Sequence, residues 1–181
     1  QQEFACCYRL SAVYVRAASA GRAVIGCGDS ITDGDGSTVD TDRRWPDLLA
    51  ERLQQTRGFE NVAVLNGGIG GNRMLFDRAG QKALQRFDRD VSTFAGATHL
   101  VVLIGINDIV FPNTVLTGPN EFASAEDLIA GLRQMVIRGR LSGIKVLLGT
   151  IMPFENGLPD TPMEGCYTET KERVRQTVNR W

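Results

Sequence analysis

Histidine is nearly absent: His99 is the sole imidazole in 181 residues. A metal centre or acid–base site built on several histidines is therefore excluded, and no metal or cofactor is expected. Cysteine is scarce as well. Cys6, Cys7, Cys27 and Cys166 show no C-x-x-C spacing, which argues against both a zinc site and a disulfide framework. Cys27 sits in an apolar run and reads as a small buried hydrophobe. Neither sign of charge dominates, with 20 basic residues against 21 acidic ones and a net charge of -1. Without a run of Lys or Arg, electrostatic binding to nucleic acid or to an anionic membrane is not expected. No stretch approaches ~20 consecutive apolar residues, so no transmembrane helix is expected. The opening, Gln1 to Cys7, lacks the basic end and long apolar run of a signal peptide, and it lacks an initiator Met. It reads as a processed or trimmed terminus, and leaves a cytoplasmic and a secreted location equally open.

What is present fits a globular domain. Hydrophobic residues make up 43% and charged residues 23%, which excludes wholesale disorder. The length suits one domain, residues 21–181, with a short extension, residues 1–20. Its core would bury roughly two-thirds of the unfolded surface.

Strand and helix patterns alternate along it. Ala23 to Cys27 is a short apolar run that reads as a buried strand, followed by a helix with Trp45, Leu48, Leu49 and Leu53 on one face, Pro46 in its first turn and Gly58 as its stop. Val62 to Leu65 is the second strand. Leu84, Phe87, Val91 and Phe94 form the next helical face, closed by Gly96. Leu100 to Ile104 is the third strand. Ser124 caps a helix with Asp127 three residues on, and Leu128, Ile129, Leu132, Met135 and Val136 form its stripe. Ile144 to Leu148 is the fourth strand, and a last helix begins near Thr168 with Val174, Val178 and Trp181 on one face. Nearly continuous apolar strands between amphipathic helices predict a parallel sheet covered on both faces.

Two irregular stretches, Ile109 to Ala123 and Pro153 to Gly165, follow strands and so belong to the carboxyl edge, where open α/β sheets bind ligands. Phe111, Phe122 and Phe154 are candidates for an apolar wall there. The last helical pattern reaches Trp181 with no stop signal, so the sequence reads as C-terminally incomplete. Leu10, Ala12 and Tyr14 alternate with Ser11, Val13 and Val15, which suits an edge strand.

The chemistry gathers at the strand ends. The turn Gly28 to Gly34 has no G-K-[ST] ending and is not a phosphate loop; Gly68 to Arg73 begins like a dinucleotide fingerprint but carries Arg73 at the third glycine position. As a hydrolase site the same turns make sense together. Ser30 stands just past the first strand and projects a hydroxyl into the crevice, although Thr32 departs from the G-x-S-x-G elbow. Asn66-Gly67-Gly68-Ile69-Gly70-Gly71-Asn72 ends the second strand with backbone that can approach a ligand closely. Gly105-Ile106-Asn107-Asp108 ends the third and delivers a carboxamide. A hydroxyl, bare N–H groups and an amide donor suit the oxyanion of an acyl transfer.

These three blocks resemble those of the SGNH or GDSL hydrolases. Gly28-Asp29-Ser30-Ile31-Thr32 is similar to the first block, Asn66 to Asn72 to the second, and Gly105 to Asp108 to the G-x-N-D third. The resemblance runs from about Ala23 to Trp181. It implies a flavodoxin-like three-layer α/β/α sandwich with a parallel sheet of order 2-1-3-4, and a fifth strand beside the fourth that is missing here. It also implies a serine esterase in which Ser30 is the nucleophile and the N–H groups of Ser30 and Gly71, with the amide of Asn107, form the oxyanion hole. Asp29 is expected to stabilise its turn and Asp108 to bond locally.

The family completes its triad with a D-x-x-H block near the C-terminus, and this sequence has none: no aspartate follows Asp160 and no histidine follows His99. His99 stands at the entry of the third strand, six residues before Gly105, roughly 20 Å from the carboxyl edge. It is therefore read as structural. The leading expectation is an ester hydrolase whose Asp and His lie outside these residues. The alternatives are a truncated product with little activity unless another chain completes it, and a non-catalytic domain that binds an acylated or carbohydrate ligand; a homo-oligomer is left open. The loops mix Phe with Asn, Thr and Pro, which favours a shallow crevice and short acyl groups.

Overall fold

The computed structural model describes residues 13–16, 20–118, 121–157, 161 and 164–181. Four strands form one parallel sheet: β1 (Arg22–Gly28), β2 (Val62–Gly68), β3 (Ala97–Leu103) and β4 (Lys145–Leu148), in the order β2-β1-β3-β4. The helices are α1 (Ser30–Asp33), α2 (Trp45–Gln54), α3 (Ala83–Phe87), α4 (Ile106–Val110), α5 (Ala125–Leu141) and α6 (Glu169–Arg180). A π-helical turn, Asp88–Ser92, continues α3. This is the parallel α/β arrangement that the alternating patterns predict.

The sheet is unequally buried. Ile25 and Cys27 of β1 and Leu100 and Val102 of β3 point to one side and are at most 1% exposed. They join Phe87, Val91, Leu128 and Met135 in the core. Residues two apart on a strand share a face, so the apolar alternation of these strands decides which side becomes the core. The opposite side is thinner: Val24, Val101 and Leu103 are only half-buried. There α2 supplies Trp45, whose indole Nε1 donates to Thr32 Oγ1 at 3.3 Å.

Several local signals act as expected. Ser124 Oγ accepts from Asp127 N at 3.1 Å while Asp127 Oδ2 accepts from Ser124 N at 3.0 Å, a reciprocal cap that starts α5. Thr168 Oγ1 accepts from Lys171 N and opens α6.

Others are corrected. α2 ends at Gln54 rather than at Gly58, and its apolar face is half-buried. Residues 109–110 belong to α4, so the first irregular stretch begins at Phe111. Val13 to Arg16 lie outside any strand, with Val13, Tyr14 and Val15 well exposed; residues 1–12 lie outside the described residues, so the rest of the expected edge strand does too. Phe154 is 8% exposed and packs on Tyr167 in the core, not on the crevice, and Phe122 is exposed. Cys27 and Cys166 are free thiols, and burial raises the Cys27 pKa. No helix among the described residues is long and apolar enough to cross a membrane.

Candidate active site

Parallel register brings three strand ends level. Gly28 of β1 pairs with Gly68 of β2 and with Leu103 of β3. Ser30, Gly71 and Asn107 follow those positions by two, three and four residues, so all three emerge on the carboxyl edge. Direct contacts then hold the turns against one another. Asn66 Nδ2 donates to Thr32 O at 2.8 Å, and Asn66 Oδ1 accepts from Gly68 N at 2.9 Å, fastening α1 to the end of β2. Asn107 Nδ2 donates to Asn72 O at 3.0 Å, fastening α4 to the turn after β2.

The glycines at two of these points are required by space and by dihedral angle. A Cβ on Gly68 would stand 2.1 Å from Asp33 N, so no other residue lets α1 come this close. Gly71 has φ +71, in the left-handed region, and turns the chain so that Asn72 N can donate to Ile69 O at 3.0 Å. Phe111 Cζ lies 4.0 Å from where a Gly71 Cβ would be, which places Phe111 beside this turn as expected.

Ser30 is the first residue of α1 and is half-buried. Asp29 caps that helix: its Oδ1 accepts from Ile31 N at 3.0 Å, the turn-stabilising part expected of it. Its other oxygen is buried with no hydrogen-bond partner among the described residues, and burial, helped by the charge of Asp108, pushes the carboxyl pKa up to about 6. Asp108 differs from expectation. Its partners are not local: Oδ2 accepts from Met74 N at 2.8 Å and Oδ1 from Leu75 N at 2.9 Å, 34 and 33 residues away. It is fully buried, and burial pushes its pKa up to about 6 against the opposing pull of those N–H groups and of Arg73.

Arg86 is the residue that sequence reasoning missed. It is 1% exposed, and its guanidinium donates to Gly28 O at 2.9 Å, at the paired Gly28–Gly68 level, and to Gly67 O at 2.8 Å, one residue before it. It sits one place from Phe87 on the helix, where an arginine reads as solvent-facing. Three residues before it, Ala83 is buried on the same face, and that spacing is the signal that could have found it. Arg73 is also buried, ion-paired to Glu121 Oε2 at 2.7 Å away from the ideal hydrogen-bond angle.

His99 is at the other end of the sheet. It pairs in register with Val24, four residues before Gly28 and so about 13 Å short of the carboxyl edge. Its Nδ1 lies 2.9 Å from Thr98 Oγ1. Hydrogen-bond reach to Ser30 is out of the question. A groove of about 330 Å³, lined by Leu75, Phe76, Leu84 and Gly131 among others, is bordered by none of the three expected site residues.

Comparison with solved structures finds this fold repeatedly. A G-D-S-L family protein from Desulfitobacterium hafniense superposes with a TM-score of 0.61 at 19% identity, over 89% of this chain and 69% of that one. AlinE4, described as an SGNH-hydrolase family esterase, gives 0.59 at 19% identity, over 87% and 75%. Axe2, an acetylxylan esterase from Geobacillus stearothermophilus, gives 0.62 at 22% identity, over 89% and 72%. Comparison with curated protein sequences gives no match. The profile of the GDSL-like lipase/acylhydrolase family matches residues 27–181, from the end of β1 through the three turns to α6, and the chain belongs to that family.

Proposed function

We propose that this chain carries the nucleophile and oxyanion hole of a serine esterase that cleaves short acyl groups. The observation that supports this best is the level register of Gly28, Gly68 and Leu103, which sets Ser30, Gly71 and Asn107 on one edge with Asn107 tied to the turn that contains Gly71. Ser30 Oγ attacks the ester carbonyl carbon, and the carbonyl π electrons move onto oxygen. The N–H groups of Ser30 and Gly71 and the second N–H of the Asn107 amide receive that oxyanion. Collapse expels the alcohol and leaves an acyl group on Ser30, which water then removes.

The proton from Ser30 needs an acceptor, and His99 is out of reach. We assign that part to an Asp-His pair outside these 181 residues, in keeping with the D-x-x-H block of the family. Without it, acylation proceeds slowly through the oxyanion hole alone, several orders of magnitude below a complete triad. The acetylxylan esterase among the structural relatives acts on acetyl groups, which agrees with a short-acyl preference here.

A fluorophosphonate probe tests the assignment on this chain. Peptide mass mapping should find the adduct on Ser30, slow to form and absent from Ser30→Ala. Asn107→Ala should slow it by about 10²–10³-fold, the usual cost of an oxyanion donor. An adduct elsewhere, or one that persists in Ser30→Ala, would overturn the reading. No adduct at all would favour a domain that only binds its ligand.

A further inference from the structure

Arg86 places a guanidinium inside the molecule, 1% exposed. Burying a charge is costly, and apolar residues of similar volume usually fill a core as well or better. Its surroundings explain its presence. Nη2 donates to Gly28 O at 2.9 Å, Nη1 to Gly67 O at 2.8 Å and Nε to Asn72 Oδ1 at 3.1 Å. Nη1 also meets Asp90 Oδ2 at 3.0 Å, which neutralises the charge. Burial alone would raise the Asp90 pKa, but hydrogen bonds from Arg89 and Arg86 hold it below the usual carboxylate range.

Apart from Asp90, each acceptor lies in a turn that carries one of the three site residues or in the strand that leads to it. The Gly28 carbonyl belongs to the peptide entering Asp29, one residue from Ser30, and it also accepts from Ile69 N at 3.2 Å. The Gly67 carbonyl belongs to the last peptide of β2, which ends at Gly68, three residues before Gly71. Asn72 follows Gly71, its Nδ2 donates to Ala79 O and Gln81 O, and its own carbonyl accepts from Asn107 Nδ2. One planar group therefore touches the backbone before Ser30 and the side chain of Asn72, the residue whose backbone carbonyl holds the Asn107 amide. An ammonium presents three donors from a single point and cannot span these acceptors; the guanidinium fork can.

We infer that Arg86 is the positioning residue of this site: by clamping Gly28, Gly67 and Asn72 together it sets the separation of Ser30, Gly71 and Asn107. The inference rests on the acyl-transfer reading above for its functional meaning, but its geometry can be measured independently. Arg86→Met removes the clamp and Arg86→Lys keeps the charge, with Met135→Ala as a destabilised control remote from the edge. In ¹⁵N-resolved NMR, Arg86→Met should shift the Ser30 backbone amide and the Asn72 and Asn107 side-chain amides and speed exchange of the latter two by ~10-fold or more. Core amides of α5 should stay as in the parent, and Arg86→Lys should fall between. In parallel, the maximal Ser30-dependent acylation rate with p-nitrophenyl acetate should drop about 10–100-fold while the half-saturating ester concentration changes little. Met135→Ala should keep the parental rate.

A folded Arg86→Met protein with parental Ser30, Asn72 and Asn107 resonances would overturn the inference. If Arg86→Met does not fold, parental resonances and rate in Arg86→Lys would overturn it instead. Acylation undiminished in Ser30→Ala would sink the esterase reading, and the resonances would still decide the clamp.

Discussion

Asp29 and Asp108 are buried carboxyls next in sequence to Ser30 and Asn107, and both have pKa values raised to about 6 from the ordinary 3.8. The folded protein therefore binds these protons more tightly than the unfolded chain does. Their contribution to stability is greatest below about pH 4, declines as pH rises from about 4 to 6, and is level above that. For either group titrating alone the decline is at most about 3 kcal/mol. Asp108→Asn removes one of the two titrations. It should cost stability at low pH, because an amide N–H faces one of the Met74 and Leu75 donors, by about 1–3 kcal/mol. Its deficit against the parent should shrink between pH 4 and 7, which urea midpoints at several pH values would measure. A deficit that grows over that range would contradict the assignment.

Helix α6 shows how a terminal element is anchored. The Lys171 ammonium is 6% exposed and donates to Val110 O at 2.7 Å, Pro112 O at 3.0 Å and Cys166 O at 3.1 Å. All three of its N–H bonds are used, on carbonyls where α4 ends and where the chain enters α6. Burial lowers its pKa, yet those acceptors are met by no neutral side chain of similar length. Lys171→Met should therefore destabilise the fold by about 2–4 kcal/mol through unpaired buried carbonyls, seen as a lower thermal midpoint. Arg175 and Asn179 of the same helix bond to Ile151, so the loss should loosen the loop before α6 more than its last turns. Hydrogen exchange would read that gradient, and uniform loosening would argue against a local anchor.

For the molecule as a whole, the proposed short-acyl preference turns on the apolar surface that the described residues bring to the strand ends. Phe111 borders Gly71, but Val115 is 78% exposed, Phe154 is in the core, and Asp33 Oδ2 lies 3.5 Å from where a Gly70 Cβ would be. Burial contributes roughly 25 cal/mol per Å², and a methylene left in water adds nothing to transition-state binding. The Ser30-dependent acylation rate across p-nitrophenyl esters should therefore be highest between acetyl and butyryl. A maximum at octanoyl or beyond would refute it.

The strand cores and the three turns were legible from local pattern, because apolar alternation and Gly-Asp-Ser, Asn-Gly-Gly and Gly-Ile-Asn-Asp turns act within a few residues, whereas the sheet order followed only from the resemblance to the family. The helix caps at Ser124 and Thr168 were legible for the same reason. What pattern could not show is any partnership across the chain. Asp108 looked like a local bonding residue because its acceptor geometry toward Met74 and Leu75 exists only once β2 and β3 flank β1. Phe154 looked like crevice wall because loop position alone cannot tell which way a side chain packs. Arg86 went unnoticed because charge is ordinarily kept in water, and only the packed strand ends supply the carbonyls that its buried guanidinium meets. The amino-acid sequence by itself determined which groups reach the carboxyl edge, since strand length and turn chemistry are local. The tertiary structure decided how the turns that carry those groups are held against one another, since that depends on hydrogen bonds between residues tens of positions apart.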